Sequence, residues 1–165
     1  MPKFYLDSSA IVKRYVSEPG TKAIDLIFDG AEGGEHIIAF SLWNLGEVFG
    51  VLDERLRRGW LSEREFTQTL GMLSNEVIRL MRLRALEIVP VFASTLVEAW
   101  GIILDQHIYE SDALQITTCR HTRSDALLSS DENLVRASKK LSLRAFDIVK
   151  EEQELREFAK PSKKG

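Results

Sequence analysis

Short apolar runs alternate with capped, helix-periodic stretches along almost the whole 165-residue chain, and this alternation restricts the fold more than any other feature. "KFYL", "HIIAF", "LEIVPVF", "ALLSS" and "LRAFDIV" are aromatic and aliphatic runs of strand length. Between them lie helical patterns with recognisable starts. Ser8 or Ser9 is placed to cap a helix through Ile11, Val12 and Tyr15, which Pro19-Gly20 closes. "TKAIDLIFDG" repeats apolar residues at helical spacing, and Ser41 is placed to cap a helix carrying Leu42, Leu45, Val48, Phe49 and Leu52 inward. "SERE" at 62–65 is a capping box opening a long helix through Met81. "STLVEAWGIILDQ", a segment capped by Ser111, and "ENLVRASKKL" complete the set. Strands alternating with helices predict an α/β fold of three layers, α/β/α, with a mainly parallel central sheet. Residues 41–84 form a helical hairpin around Gly59-Trp60, inserted into the β-α repeat.

Composition narrows the class. With 44% apolar and 28% charged residues, the chain reads as a globular protein with a single domain over residues 1–150. Residues 151–165 read as a charged C-terminal tail, a terminal helix that frays. One cysteine, Cys119, excludes an internal disulfide and a thiolate metal cage. No apolar run approaches the ~18 residues that span a bilayer, and no secretory leader is evident, so a cytoplasmic protein without a membrane partner is expected. The net charge of −3 lacks the basic balance of many nucleic-acid binders. Basic runs at 13–14, 55–58, 79–84 and 139–140 read as solvated helix faces.

Four acids stand where the carboxyl edge of such a sheet belongs. Asp7 follows the first strand, where it serves either as a ligand-binding carboxylate or as a helix cap. Glu47 lies in a helix within the apolar stretch "SLWNLGEVFGVL", a place where a charge needs a partner. Asp112 sits in the first turn of its helix, where the helix dipole alone would favour an acid. Asp131 ends the "ALLSS" run. Four acids at one edge repel one another, and a hard divalent cation with oxygen ligands compensates them economically.

"YLDSSAIVKRY", "SLWNLGEVFGVL", "ESDALQITTCR" and "ALLSSDENLVRASKKLSLRAFDI" together resemble the PIN-domain nucleases, in particular VapC-type toxins of toxin–antitoxin pairs, over nearly the full length. The resemblance implies a PIN-like fold and a metal-dependent endoribonuclease. It implies Asp7, Glu47, Asp112 and Asp131 as catalytic carboxylates holding Mg²⁺ or Mn²⁺, with Ser9 and Ser129 supporting them. It further implies an RNA substrate, a cognate antitoxin and a homodimer, the last two meeting the Trp-bearing helices at 41–60. Lys13 and Arg14, just beyond the first acid, are candidate RNA contacts, against a reading as a solvated face.

Other chemistries fit less well. His36, His107 and His121 read as surface residues, and Cys119 as a small buried group. Trp43, Trp60 and Trp100 read as core or interface anchors. A phosphoaspartyl phosphatase would want an acid where Ser9 stands, and a receiver-type phosphoacceptor would want a lysine at a late strand end. A non-toxin RNA-processing nuclease and a non-catalytic protein-binding module of the same fold remain the alternatives.

Overall fold

The computed structural model describes residues 1–160. The element order is β1 (Lys3–Leu6), α1 (Ser8–Tyr15), α2 (Thr21–Glu32), β2 (Ile37–Ser41), α3 (Leu42–Arg57), α4 (Glu63–Arg82), β3 (Leu86–Val89), α5 (Ala93–Gln106), α6 (Glu110–His121), β4 (Ala126–Ser129), α7 (Glu132–Lys140), β5 (Ala145–Asp147) and α8 (Glu152–Ala159). The five strands form one sheet in the order β3-β2-β1-β4-β5, and every pairing is parallel. Strand alternation divides the core in two. Phe4, Leu6, Ile38, Phe40 and Leu128 face a cluster completed by Ile11, Ile24, Leu52, Leu73, Leu80 and Leu155. Tyr5, Ala39, Leu127 and Ala145 face a second cluster with Ala99, Ile116, Cys119 and Leu134. A sheet buried on both faces is the arrangement that uninterrupted apolar strands demand.

β1 lies in the middle, with β2 on one side and β4 on the other. The chain builds outward to β3, then crosses β1 to lay down β4 and β5. That reversal opens a crevice at the carboxyl ends of β1 and β4, the place where open α/β sheets hold ligands.

The hairpin of α3 and α4 is present. Gly59, at φ +72°, supplies the left-handed turn between them. Ser41 with Asn44 and Ser62 with Glu65 form reciprocal capping boxes. At two other helix starts the N-cap is not a serine, and at the first of them the cap reading of Asp7 is realised. Asp7, rather than Ser8 or Ser9, caps α1, its carboxylate accepting from Ala10 N. α6 begins at Glu110, so Ser111 lies inside it and Tyr109 stands at the N-cap with no side-chain bond. On α3, Leu42 and Phe49 face outward, about half exposed with Trp43, while Val48 and Leu52 turn in. Trp60 and Trp100 are exposed too, so none of the three tryptophans is in the core.

His36 is buried, not at the surface. Its ring packs edge-on against Phe4 and lies so close to Gly30 that a Cβ there would come within 2.3 Å of it. Burial pushes the imidazole below its ordinary pKa. Residues 151–159, expected to fray, instead continue the packed fold: α8 buries Leu155 and Ala159 and sets Phe158 against Phe4 and Phe146. The last five residues of the expected tail lie outside the described part. No helix among the described residues is long and apolar enough to cross a membrane.

Candidate metal centre

Asp7 leaves β1 at the crevice and is almost fully buried. Its Oδ1 accepts from Ala10 N at 2.8 Å, closing the N-cap of α1. Ser9 Oγ donates to the same carboxylate at 2.8 and 2.9 Å, and Ser129 Oγ donates to Oδ2 at 2.6 Å. The two serines are themselves held by the loop after β4: Ser130 N donates to Ser9 Oγ at 2.9 Å and Asp131 N to Ser129 Oγ at 2.8 Å. Hydroxyls thus tie the β1 and β4 loops together across the crevice and fix the orientation of Asp7. Burial raises the Asp7 carboxyl to about 6; the serine and amide donors pull it down, and the nearby Glu47 charge pushes it up.

Asp131 and Asp112 come from helix starts along this edge, and Glu47 from the second turn of α3. Asp131 caps α7, its Oδ1 accepting from Asn133 N at 2.7 Å and Leu134 N at 3.2 Å. Asp112 occupies the first turn of α6 and is partly buried. Burial, then the charges of Asp131 and Glu47, raise its carboxyl to about 6. Glu47, partly buried on α3, accepts from Gln115 Nε2 at 3.1 Å. These mutual effects show the four expected acids gathered within one electrostatic neighbourhood. Among the described residues, none of the four is paired with a lysine, arginine or histidine in an ion pair.

A polar network missing from the sequence reading supports this edge from below. Tyr5 Oη lies 2.9 Å from Asn44 Oδ1 and 2.8 Å from Gln115 Oε1, and Asn44 Nδ2 donates to Gln115 Oε1 at 2.8 Å. Asn44 also accepts from Ser41 N and Ser41 Oγ, both at 2.7 Å. All four side chains are buried, so the chain Tyr5–Asn44–Gln115 carries the position of Glu47 back to the central strand. Gln115, three residues after Asp112 in an apolar helix, and Asn44, three before Glu47, were the available signals.

Lys13 and Arg14 point elsewhere. Lys13 is buried and donates to Glu18 Oε1 at 2.9 Å. Arg14 is bound to Glu76, Asp25 and Asp29. Their expected role as RNA contacts gives way to ion pairs inside the scaffold.

The acids fit a divalent cation in donor type and in lacking a counter-charge. Among the described residues, no three His, Cys, Asp or Glu side chains converge tightly enough to enclose an ion. Mg²⁺ tolerates such an open set, because it retains several waters and takes one or two carboxylates directly.

A family model described as PIN domain matches residues 4–140. The chain belongs to the PIN domain family. The matched span includes Asp7, Glu47, Asp112 and Asp131, with Ser9 and Ser129. No curated protein matches in sequence. Among solved structures, the PIN chain is similar to FitAcB from Neisseria gonorrhoeae (TM-score 0.63, 14% identity, 88% of this chain and 97% of that one). It is similar to PAE2754 from Pyrobaculum aerophilum (TM-score 0.60, 13% identity, 94% and 96%). It is also similar to VapC20 of Mycobacterium tuberculosis, a toxin that cleaves the sarcin–ricin loop (TM-score 0.58, 16% identity, 81% and 94%). At these identities the likeness is one of fold.

Proposed function

We propose that this PIN domain is a metal-dependent endoribonuclease acting as the toxin of a toxin–antitoxin module. The observation that carries the reading is the group of four carboxylates at the β1/β4 crevice, steered by hydroxyl and amide donors and left without a cationic partner. Asp7, Glu47, Asp112 and Asp131 would hold Mg²⁺ or Mn²⁺. Bound there, the ion supplies charge neutralisation for the phosphodiester and a lowered pKa for an attacking water. Ser9 and Ser129 keep Asp7 from rotating away, and Gln115 does the same for Glu47. Because the carboxyls of Asp7 and Asp112 sit near 6, protons compete with the ion, and metal affinity rises as pH rises through that value.

The sarcin–ricin-loop activity of VapC20 supports RNA as the substrate class. FitAcB and the VapBC2 complex of Rickettsia felis support a cognate antitoxin. Exposed Trp43 and Phe49 on α3, with Leu42 beside them, offer apolar and aromatic anchors for that partner or for a second copy of the chain. A cytoplasmic location accords with such a role. Incubation with a mixed RNA pool tests the activity: cleavage with Mg²⁺ or Mn²⁺ and its loss in EDTA are expected, and full cleavage in chelator overturns the mechanism. Light scattering at micromolar concentration should give the mass of a dimer.

A further inference from the structure

Next to Asp112 lies a hollow of about 200 Å³, lined by residues from two parts of the chain. One wall is the stripe Asn133, Arg136, Ala137 and Lys140 of α7, at helical positions i, i+3, i+4 and i+7. The other is the link from α5 to α6, Gln106 to Tyr109. His107 closes α5 in the left-handed region at φ +54°, and Tyr109 is more than four-fifths exposed at the rim.

The charges on α7 are not equivalent. Lys139 is paired with Glu151. Arg136 and Lys140 are exposed and have no acidic partner among the described residues; Arg136 donates only to Asn133 Oδ1, at 2.7 Å. Two uncompensated cations therefore stand on the helix that Asp131 caps, in a hollow whose edge is Asp112. A polyanion approaching four carboxylates is repelled unless cations hold its neighbouring phosphates.

Building on the endoribonuclease reading, we propose that this hollow seats the nucleotide adjoining the scissile phosphodiester: Arg136 and Lys140 take its phosphate, and Tyr109 stacks on its base at the rim. The volume suits a sugar-phosphate unit and leaves the base outside. The contacts to phosphate are blind to sequence, while stacking on one tyrosine is tolerant of it. Affinity for single-stranded RNA then comes from α7, and the chemistry from the acids beside it.

The test compares wild type, Arg136→Gln/Lys140→Gln, Tyr109→Ala and, as a charge-matched control, Lys22→Gln/Arg57→Gln. Binding of a labelled single-stranded RNA oligomer is read by anisotropy in EDTA across a salt series, and cleavage is read separately with Mg²⁺. The α7 pair should weaken binding at least about tenfold and flatten the plot of log affinity against log salt by about 0.7, the contribution of one neutralised phosphate on a single strand. Its KM should rise with kcat nearly kept, and Tyr109→Ala should weaken binding about five- to a hundred-fold without changing the slope. The control should match wild type in both readouts. Salt-dependent binding that falls in the α7 variant, in a wild type that cuts no RNA, upholds the subsite and removes the nuclease reading. A wild type that cuts RNA with metal while the α7 variant keeps its affinity, slope and KM removes the subsite and leaves the nuclease reading standing. Absence of RNA binding in wild type overturns the subsite as well.

Discussion

Two buried acids, Asp7 and Glu76, have nearly the same exposure, 5% and 7%, and opposite surroundings. Glu76, on α4, is met by Arg14 through Nε at 3.2 Å and Nη2 at 2.9 Å, by Arg79 at 3.2 Å and by Tyr15 Oη at 2.9 Å. Arg14 continues to Asp25 at 2.7 Å and Asp29 at 3.2 Å, and Arg79 to Glu32. This cluster closes on itself, tying α1, α2 and α4 together. Asp7 receives only two serine hydroxyls and a backbone amide, and the acids around it add negative charge. A scaffold that needed Asp7 merely as a fastener would supply a cation, as it does for Glu76. On the proposed function, this unbalanced charge is reserved for a cation bound in the crevice.

Substitutions should separate the two acids, beginning with the largest effect. Glu76→Ala leaves Arg14 partly buried without its main partner, and about 3–5 kcal/mol of stability should be lost. Chemical denaturation measures this, and the fraction that remains folded should keep its cleavage rate. Asp112→Asn should do the reverse. On the proposed metal-dependent mechanism, losing this carboxylate should slow cleavage at least about 100-fold, equivalent to about 2.7 kcal/mol of barrier. A variant that melts early yet still cleaves would erase the contrast.

The smallest effect concerns the metal-free protein, where Asp112→Asn should melt no lower than wild type and up to about 1 kcal/mol higher. Its pH dependence has a definite sign. The carboxyls of Asp7 and Asp112 are raised from 3.8 to about 6 in the folded state, so the folded chain binds more protons than the unfolded one between those values. Stability from this source is fully present below pH 3.8 and is lost as pH rises through 6. His36, with its lowered pKa, acts oppositely: its contribution is complete above 6.5 and is lost as pH falls. Subtracting the Asp112→Asn melting curve from that of wild type cancels His36 and leaves a difference that grows between pH 4 and 6. A flat difference means that neither burial nor the neighbouring acids raise the Asp112 carboxyl. Mg²⁺ should stabilise wild type more than the variant, by mass action on the folded state.

What could be read from the residues was local or periodic. The capping boxes at Ser41 and Ser62 and the two-faced strands announce themselves within a few positions, and they define the layers. The order of strands that places β1 beside β4 was not legible, but a parallel sheet brings all its carboxyl ends to one edge, so the four acids could be assigned to that edge. Partnerships over long separation were out of reach. Nothing near Arg14 points to Glu76, 62 residues on, and nothing near Tyr5 points to Gln115, 110 residues on. His36 looked like a polar strand head because its cover, the backbone of Gly30 and the ring of Phe4, comes from two other elements. The cap of α1 fell on Asp7 rather than a serine because neighbouring Ser and Asp compete for the same capping bond, and only backbone geometry chooses between them. The N-cap of α6 lies two residues before the expected Ser111, at Tyr109, which makes no side-chain bond at all.

The bond from Ser129 to Asp7 joins residues 122 apart, and the Phe4–Phe158 contact spans still more of the chain. β1 is synthesised before the other strands but cannot take its place between two neighbours until β4 has emerged, over a hundred residues later. Closing loops of that length sets a high entropic barrier, so folding should be slow for a chain of this size. No fragment ending before residue 131 contains all four acids. On the proposed nuclease reading, a nascent chain has no complete site before residue 131 has emerged, and the edge that gathers the four acids comes into being only as β4 joins β1.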